Sequence, residues 1–115
     1  MRNLTASSRE LEAAALRAET GEPGVVPIAD CPHRQRVRLA GTLRAVCWRP
    51  RGGAPALEAE LYDGSDAIRL VWLGRRSIPG IEPGRMVRVE GTIGLRRGER
   101  LMFNPLYELR PAAPS

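Results

Sequence analysis

Two short arginine-rich stretches, Trp48-Arg49-Pro50-Arg51 and Arg96-Arg97-Gly98-Glu99-Arg100, are the parts of this chain best equipped for chemistry. A guanidinium is planar, permanently charged and matched in shape to phosphate oxygens, so arginines grouped on turns suit contact with a phosphate backbone. Arg69 joins them from the outward positions of an alternating segment. Trp48, at the start of the first stretch, and Tyr62, on an outward position, suit stacking on bases. The plain alternative is that such arginines are solvated charge. Catalysis has little to work with: one histidine, no nucleophile paired with a base, and no carboxylates clustered in a motif. Cys31 and His33 would make half of a tetrahedral metal site, and the chain has no further Cys or His to complete it once Cys47 is read as a small core residue. No metal, no cofactor and no enzyme activity are expected.

Those residues need elements to position them. If Asp63 and Asp66 flank a tight Gly64-Ser65 turn, a hairpin pairs Leu61 with Ile68, Ala59 with Leu70 and Leu57 with Trp72. That register gathers one continuous apolar face and leaves Glu58, Glu60, Tyr62, Arg69 and Val71 on the other. A slip of one residue would bury charges. The same alternation predicts five strands, over residues 36–49, 56–63, 67–73, 86–95 and 100–109. Leu39, Leu57, Leu61, Ile68, Leu70, Val87, Val89 and Leu101 form the expected core, joined by Trp72 and Phe103. Tyr107 is expected in the core or hydrogen-bonded across its end.

The pattern resembles the OB-fold family, in the branch that includes the wedge domain of RecG-type branched-DNA helicases and, more distantly, the anticodon-binding barrels of some tRNA synthetases. The residues that carry the resemblance are the Gly41-Thr42 bend in strand one, the Tyr62-Asp63-Gly64 turn, the strand Ile68 to Trp72, Pro83-Gly84 before strand four, and MFNPLYEL (Met102 to Leu109) in strand five. The resemblance covers Arg34 to Arg110. It implies an all-β, five-stranded Greek-key barrel in which strands one and four pair, so that VRLAGTL (Val37 to Leu43) and VRVEGTI (Val87 to Ile93) share a constraint rather than a repeat. It also implies a ligand crossing strands two and three between the loops Trp48–Pro55 and Leu95–Arg100. Arg49, Arg51, Arg96, Arg97 and Arg100 would then stand on the two banks of a cleft. Glu58 and Glu60 weigh against phosphate there: Glu60, opposite Arg69, is expected to be neutralised, and Glu58 to be left uncompensated. A phosphate loop of the helicase-motor type is absent.

Composition bounds the rest. With 115 residues and 43% hydrophobic side chains the chain is expected to form one domain. Net charge is +5, and all 18 basic residues are arginine, a usage that also fits a GC-rich genome. No apolar leader or membrane-length run is seen, so a bacterial-type cytoplasm is expected and no membrane contact. Residues 1–33 read as an N-terminal helix (Thr5 to Thr20, with Ser7 and Glu10 as a capping box and Gly21 as its stop) followed by an extended connector. Residues 34–110 read as the barrel and 111–115 as a disordered tail. The expected function is a stand-alone barrel binding single-stranded or branched DNA, with RNA as a second possibility, and little sequence preference. The rival is a protein-interaction or structural barrel whose basic face meets an acidic protein partner. Because the helix offers only a thin apolar stripe, deleting Met1–Thr20 is expected to leave a cooperative melt intact; a lost transition in the truncated protein would show that the helix is part of the core.

Overall fold

The computed structural model describes residues 24–32 and 34–111; the helix expected over Thr5–Thr20, His33 and residues 112–115 lie outside them. Six strands follow in order: β1 Arg36–Arg51, β2 Ala54–Tyr62, β3 Ala67–Leu73, β4 Met86–Arg96, β5 Glu99–Phe103 and β6 Leu106–Leu109. They hydrogen-bond in the order β1-β2-β3-β5-β4, and β4 returns to β1, which closes a five-stranded Greek-key barrel. Among the described residues no helix is long and apolar enough to cross a membrane.

The last expected strand is split in two. Asn104 adopts a left-handed backbone (φ 51°), gives its N–H to the Val71 carbonyl and accepts the Leu73 N–H on its side-chain oxygen. Pro105 follows with no N–H to offer, so β5 leaves β3 there and β6 continues alone against β4.

The β2–β3 register is the one the alternation requires, with Leu61 against Ile68, Ala59 against Leu70 and Leu57 against Trp72. The two similar segments of β1 and β4 pair antiparallel about Leu39 and Val89, which sets Gly91 opposite Val37 and Gly41 opposite Val87. Both glycines sit where the barrel narrows. A Cβ on Gly41 would stand 2.3 Å from the Tyr62 carbonyl oxygen, and one on Gly91 would stand 2.8 Å from the Met102 side chain.

All eight expected core residues are buried, and Met102, Ile93 and Leu43 complete the interior. Leu101, however, is buried beneath the outer surface, next in register to Arg69, because Met102 takes the inward position of β5. For the same reason Phe103 points outward and is 37% exposed, where a core position was expected. Trp72 is buried and donates its indole N–H to the Pro105 carbonyl at 3.0 Å, while Tyr107 meets it edge-on at the surface.

Cys47 is exposed and not in the core. Between Arg44, paired with Glu60, and Cys47, paired with Glu58, β1 carries one residue more than β2, a β-bulge centred on Ala45 (φ 52°). The bulge shifts the alternation by one, so every residue beyond it changes face.

The connector packs on the barrel through its 3-10 turn, Ile28–Asp30. Ile28 is fully buried, and its N–H reaches the Asp63 carboxylate at 2.9 Å. The same carboxylate accepts the N–H and hydroxyl of Ser65, which fixes the β2–β3 turn. Between β3 and β4 the chain has turns only, and Ile78 and Ile81 are buried there. Leu61 is completely buried in the centre of β2. Its truncation to alanine is expected to cost about 2–5 kcal/mol, read by urea unfolding, and a loss under about 1 kcal/mol would contradict the register.

Candidate nucleic-acid interface

The outer face of the barrel is built by period two. From β2 it takes Ala56, Glu58 and Glu60, from β3 Arg69, Val71 and Leu73, and from β5 Leu101 and Phe103. Beyond its bulge β1 adds Cys47 and Arg49, opposite Glu58 and Ala56, and Arg51, opposite Ala54. Two tight hairpins border this face. The β1–β2 turn is Gly52-Gly53 and the β4–β5 turn is Arg97-Gly98, all four residues in the left-handed conformation that two-residue hairpins of this type require. The expected loops are therefore short and stiff.

Glu58 organises the centre of the face. The side chain is almost completely buried, and its Oε2 accepts the Arg51 Nε–H at 2.9 Å. Its Oε1 accepts the Arg69 Nη1–H at 2.9 Å and lies 3.6 Å from the Arg49 Nε. The sequence expectation of an uncompensated Glu58 is thus corrected: three guanidiniums surround it. Arg69 continues to Glu99 at 3.0 Å, so an ionic chain Arg51–Glu58–Arg69–Glu99 crosses β1, β2, β3 and β5. Glu60 does stand opposite Arg69 in register, but its carboxylate pairs with Arg44 at 3.0 Å. Arg44 in turn lies over the Tyr62 ring at 4.2 Å.

Above this chain two guanidiniums lie near the Phe103 ring, Arg51 at 5.6 Å and Arg96 at 5.8 Å from its centre. One comes from each bordering hairpin. Below it opens a cleft of about 570 Å³, whose charged lining is Arg49, Arg69 and Arg100 against Glu58, Glu60, Asp66 and Glu99. The face is therefore polarised: arginines around a partly exposed aromatic ring above, mixed charge below.

The sequence-predicted residues divide accordingly. Arg49, Arg51, Arg96 and Arg97 stand on the two hairpins beside the face, with Arg97 exposed at the β4–β5 tip. Arg69 is committed to Glu58 and Glu99. Arg100 lines the cleft, and its guanidinium donates to the Ile28 and Ala29 carbonyls of the connector. Trp48 lies opposite inward-facing Leu57, on the other side of β1 from Arg49 and Arg51, and Arg76 covers its ring at 5.0 Å. Tyr62 is on the outer face, with Arg44, which also pairs with Glu60, over its ring. Sequence reasoning missed Phe103 as a surface ring; the Asn104-Pro105 pair that ends β5 was the available signal. Among the described residues no group of three metal-ligating side chains occurs.

No family model and no curated protein matches the chain. Solved structures do. The OB domain of Ta0387 from Thermoplasma acidophilum superposes with a TM-score of 0.62 at 14% identity, over 79% of this chain and 91% of that one. RecG bound to a three-way DNA junction gives 0.63 at 21% identity over 77% of this chain, which spans 13% of that chain. A Replication Protein A heterotrimer bound to single-stranded DNA gives 0.53 at 13% identity, over 78% of this chain and 68% of that one. The chain has the OB fold.

Burial by itself pushes the Glu58 carboxyl up, but hydrogen bonds from Arg51 and Arg69, and the charges of Arg51 and Arg49, outweigh it and hold the pKa below the ordinary carboxylate value. A group depressed in the folded state contributes stability that is complete above the unfolded carboxylate range and disappears as pH falls through the folded value. Urea unfolding of the wild-type barrel should therefore lose stability on acidification below that range. In Glu58→Gln this component should be missing, and an unchanged acid limb in the variant would contradict the assignment.

Proposed function

We propose that this barrel binds single-stranded or branched nucleic acid, DNA in preference to RNA and with little sequence preference, along the upper half of its outer face. The observation that carries this reading is the Phe103 ring flanked by Arg51 and Arg96, one from each bordering hairpin. A partly exposed ring with guanidinium planes beside it offers stacking surface to any base, and the same guanidiniums reach the phosphates that flank that base. Arg49 and Arg97 extend the phosphate track toward the two banks. Stacking reads no base edges, hence the weak sequence preference. Arg69 and Arg100 serve as struts rather than contacts. DNA is favoured because two of the similar structures are described as bound to DNA, a junction in one and a single strand in the other. The activity is binding, not turnover.

The lower half of the face supports the second reading. Glu60, Asp66 and Glu99 would repel a phosphate backbone and would suit a protein partner of mixed charge.

A salt-titrated binding assay with single-stranded DNA, forked DNA and RNA separates the two. Four phosphate contacts on a single strand predict a slope of log affinity against log salt of about 3 in magnitude. Replacing Arg96 and Arg97 by Ala should flatten it by about 1–1.5. Phe103→Ala should weaken binding by about 1–3 kcal/mol with the slope nearly unchanged, whereas Trp48→Ala should change it by less than about 0.5 kcal/mol. Equal losses from Arg36→Ala and Arg38→Ala, whose side chains pair with Glu90 on the opposite flank, would mean that diffuse charge carries the binding.

A further inference from the structure

A buried carboxylate in the middle of a phosphate-binding face is a contradiction unless it serves the arginines around it. Glu58 is 2% exposed, and its contacts are directional. It holds Arg51 through Nε at 2.9 Å and approaches Arg49 through Nε at 3.6 Å. A guanidinium anchored at Nε keeps both Nη groups for other partners. Among the described residues Arg51 makes no other hydrogen bond, and the one hydrogen bond of Arg49 runs from Nη2 to the Cys47 Sγ. On its other side Glu58 holds Arg69, whose Nη2 reaches Glu99 beside the β4–β5 tip. One carboxylate thus links the β1–β2 hairpin to the β4–β5 hairpin across four strands. Long side chains ordinarily lose their rotamer freedom when they meet a ligand, and an internal anchor moves that loss into folding.

We propose that Glu58 is the positioning residue of the interface: it presets Arg51 with both Nη groups available to the ligand, draws Arg49 in through Nε with Nη1 still available, and holds the two hairpins at one spacing. The inference rests on the nucleic-acid reading above. Its consequence runs against simple Coulomb reasoning, because removing a negative charge from the site weakens binding to a polyanion. Glu60 provides the contrast. It lies on the same strand and face, but it is half-exposed and, among the described residues, pairs only with Arg44, outside the Arg51–Phe103–Arg96 group.

The test measures binding of an oligothymidylate about twelve nucleotides long to the full chain and to Glu58→Gln and Glu60→Gln, over a range of salt. The proposal expects Glu58→Gln to bind about fivefold more weakly, with the salt slope reduced by about 0.7 for each lost phosphate contact. Glu60→Gln should bind equally or more tightly. Tighter binding and a steeper slope in Glu58→Gln would overturn the proposal, since Glu58 would then compete with phosphate. Weaker binding with an unchanged slope would also overturn it, leaving Glu58 a scaffold residue only. Should the variant fail to fold, the wild-type protein still decides: the Arg51 Nε–H resonance should stay hydrogen-bonded in the oligonucleotide complex, and its loss on binding would mean that the ligand displaces Glu58. Absence of binding by the wild-type chain at low salt would overturn the nucleic-acid reading itself, and the positioning role with it.

Discussion

One extra residue in β1 decides what the outer face of this barrel can hold. Up to Arg44 the strand sends Leu39 and Leu43 inward and its even-numbered positions outward. Were the alternation to continue, Arg49 and Arg51 would share the inward parity of Leu43 and could not be accommodated. The bulge at Ala45 reverses the order, so that Val46 packs against the core, Trp48 follows it, and Cys47 and the two arginines face out. The left-handed backbone at Ala45 costs about 1 kcal/mol, and its return is a strand that bends round the barrel while turning two guanidiniums toward Glu58.

The burial of Glu58 follows from that reversal. A carboxylate on the outer face of β2 would ordinarily stay in water, where surface ion pairs contribute little. Here Val71, Ala56 and Leu101, all buried, form an apolar floor beneath the arginines, and the carboxylate sits in that layer. Arginine suits the arrangement better than lysine because its fork can donate to Glu58 from one edge and still offer nitrogens elsewhere, as Arg69 does between Glu58 and Glu99. The network also leaves one point unsatisfied: the Arg69 Nε is buried without a hydrogen-bond partner among the described residues. Closure of the barrel depends in parallel on Gly41 and Gly91, whose missing side chains let β1 approach the end of β2 and let Met102 lie across β4.

Much of the fold was legible in the sequence because period-two burial leaves few choices. The β2–β3 register, the bounds of β3 and the burial of all eight chosen core residues follow from alternation alone. What alternation cannot report is a place where it breaks. Cys47 was assigned to the wrong side because nothing in Arg44-Ala45-Val46 announces a bulge; alanine is an unusual residue for a left-handed position. Phe103 was read inward because one continuous strand from 100 to 109 was assumed, although Asn104-Pro105 gave a reason to stop. At the interface the types of residue were visible and the partnerships were not. That Arg100, at the edge of the cleft, would donate to the connector carbonyls is a long-range fact, joining positions 28 and 100. Glu58 looked uncompensated for the same reason, since Arg49 and Arg51 reach it only after the bulge.

The most direct test of the account is a backbone amide NMR titration of the full chain with the same oligothymidylate, which reports the location of binding without any substitution. The account predicts shifts concentrated on the two hairpin tips, Arg51–Ala54 and Arg96–Glu99, and on Val71 and Phe103, with the Trp48 indole and the Arg36–Arg38 amides unmoved. Shifts centred on the β1–β4 flank around Arg36, Arg38 and Glu90, or on the Trp48–Arg76 side of β1, would contradict it.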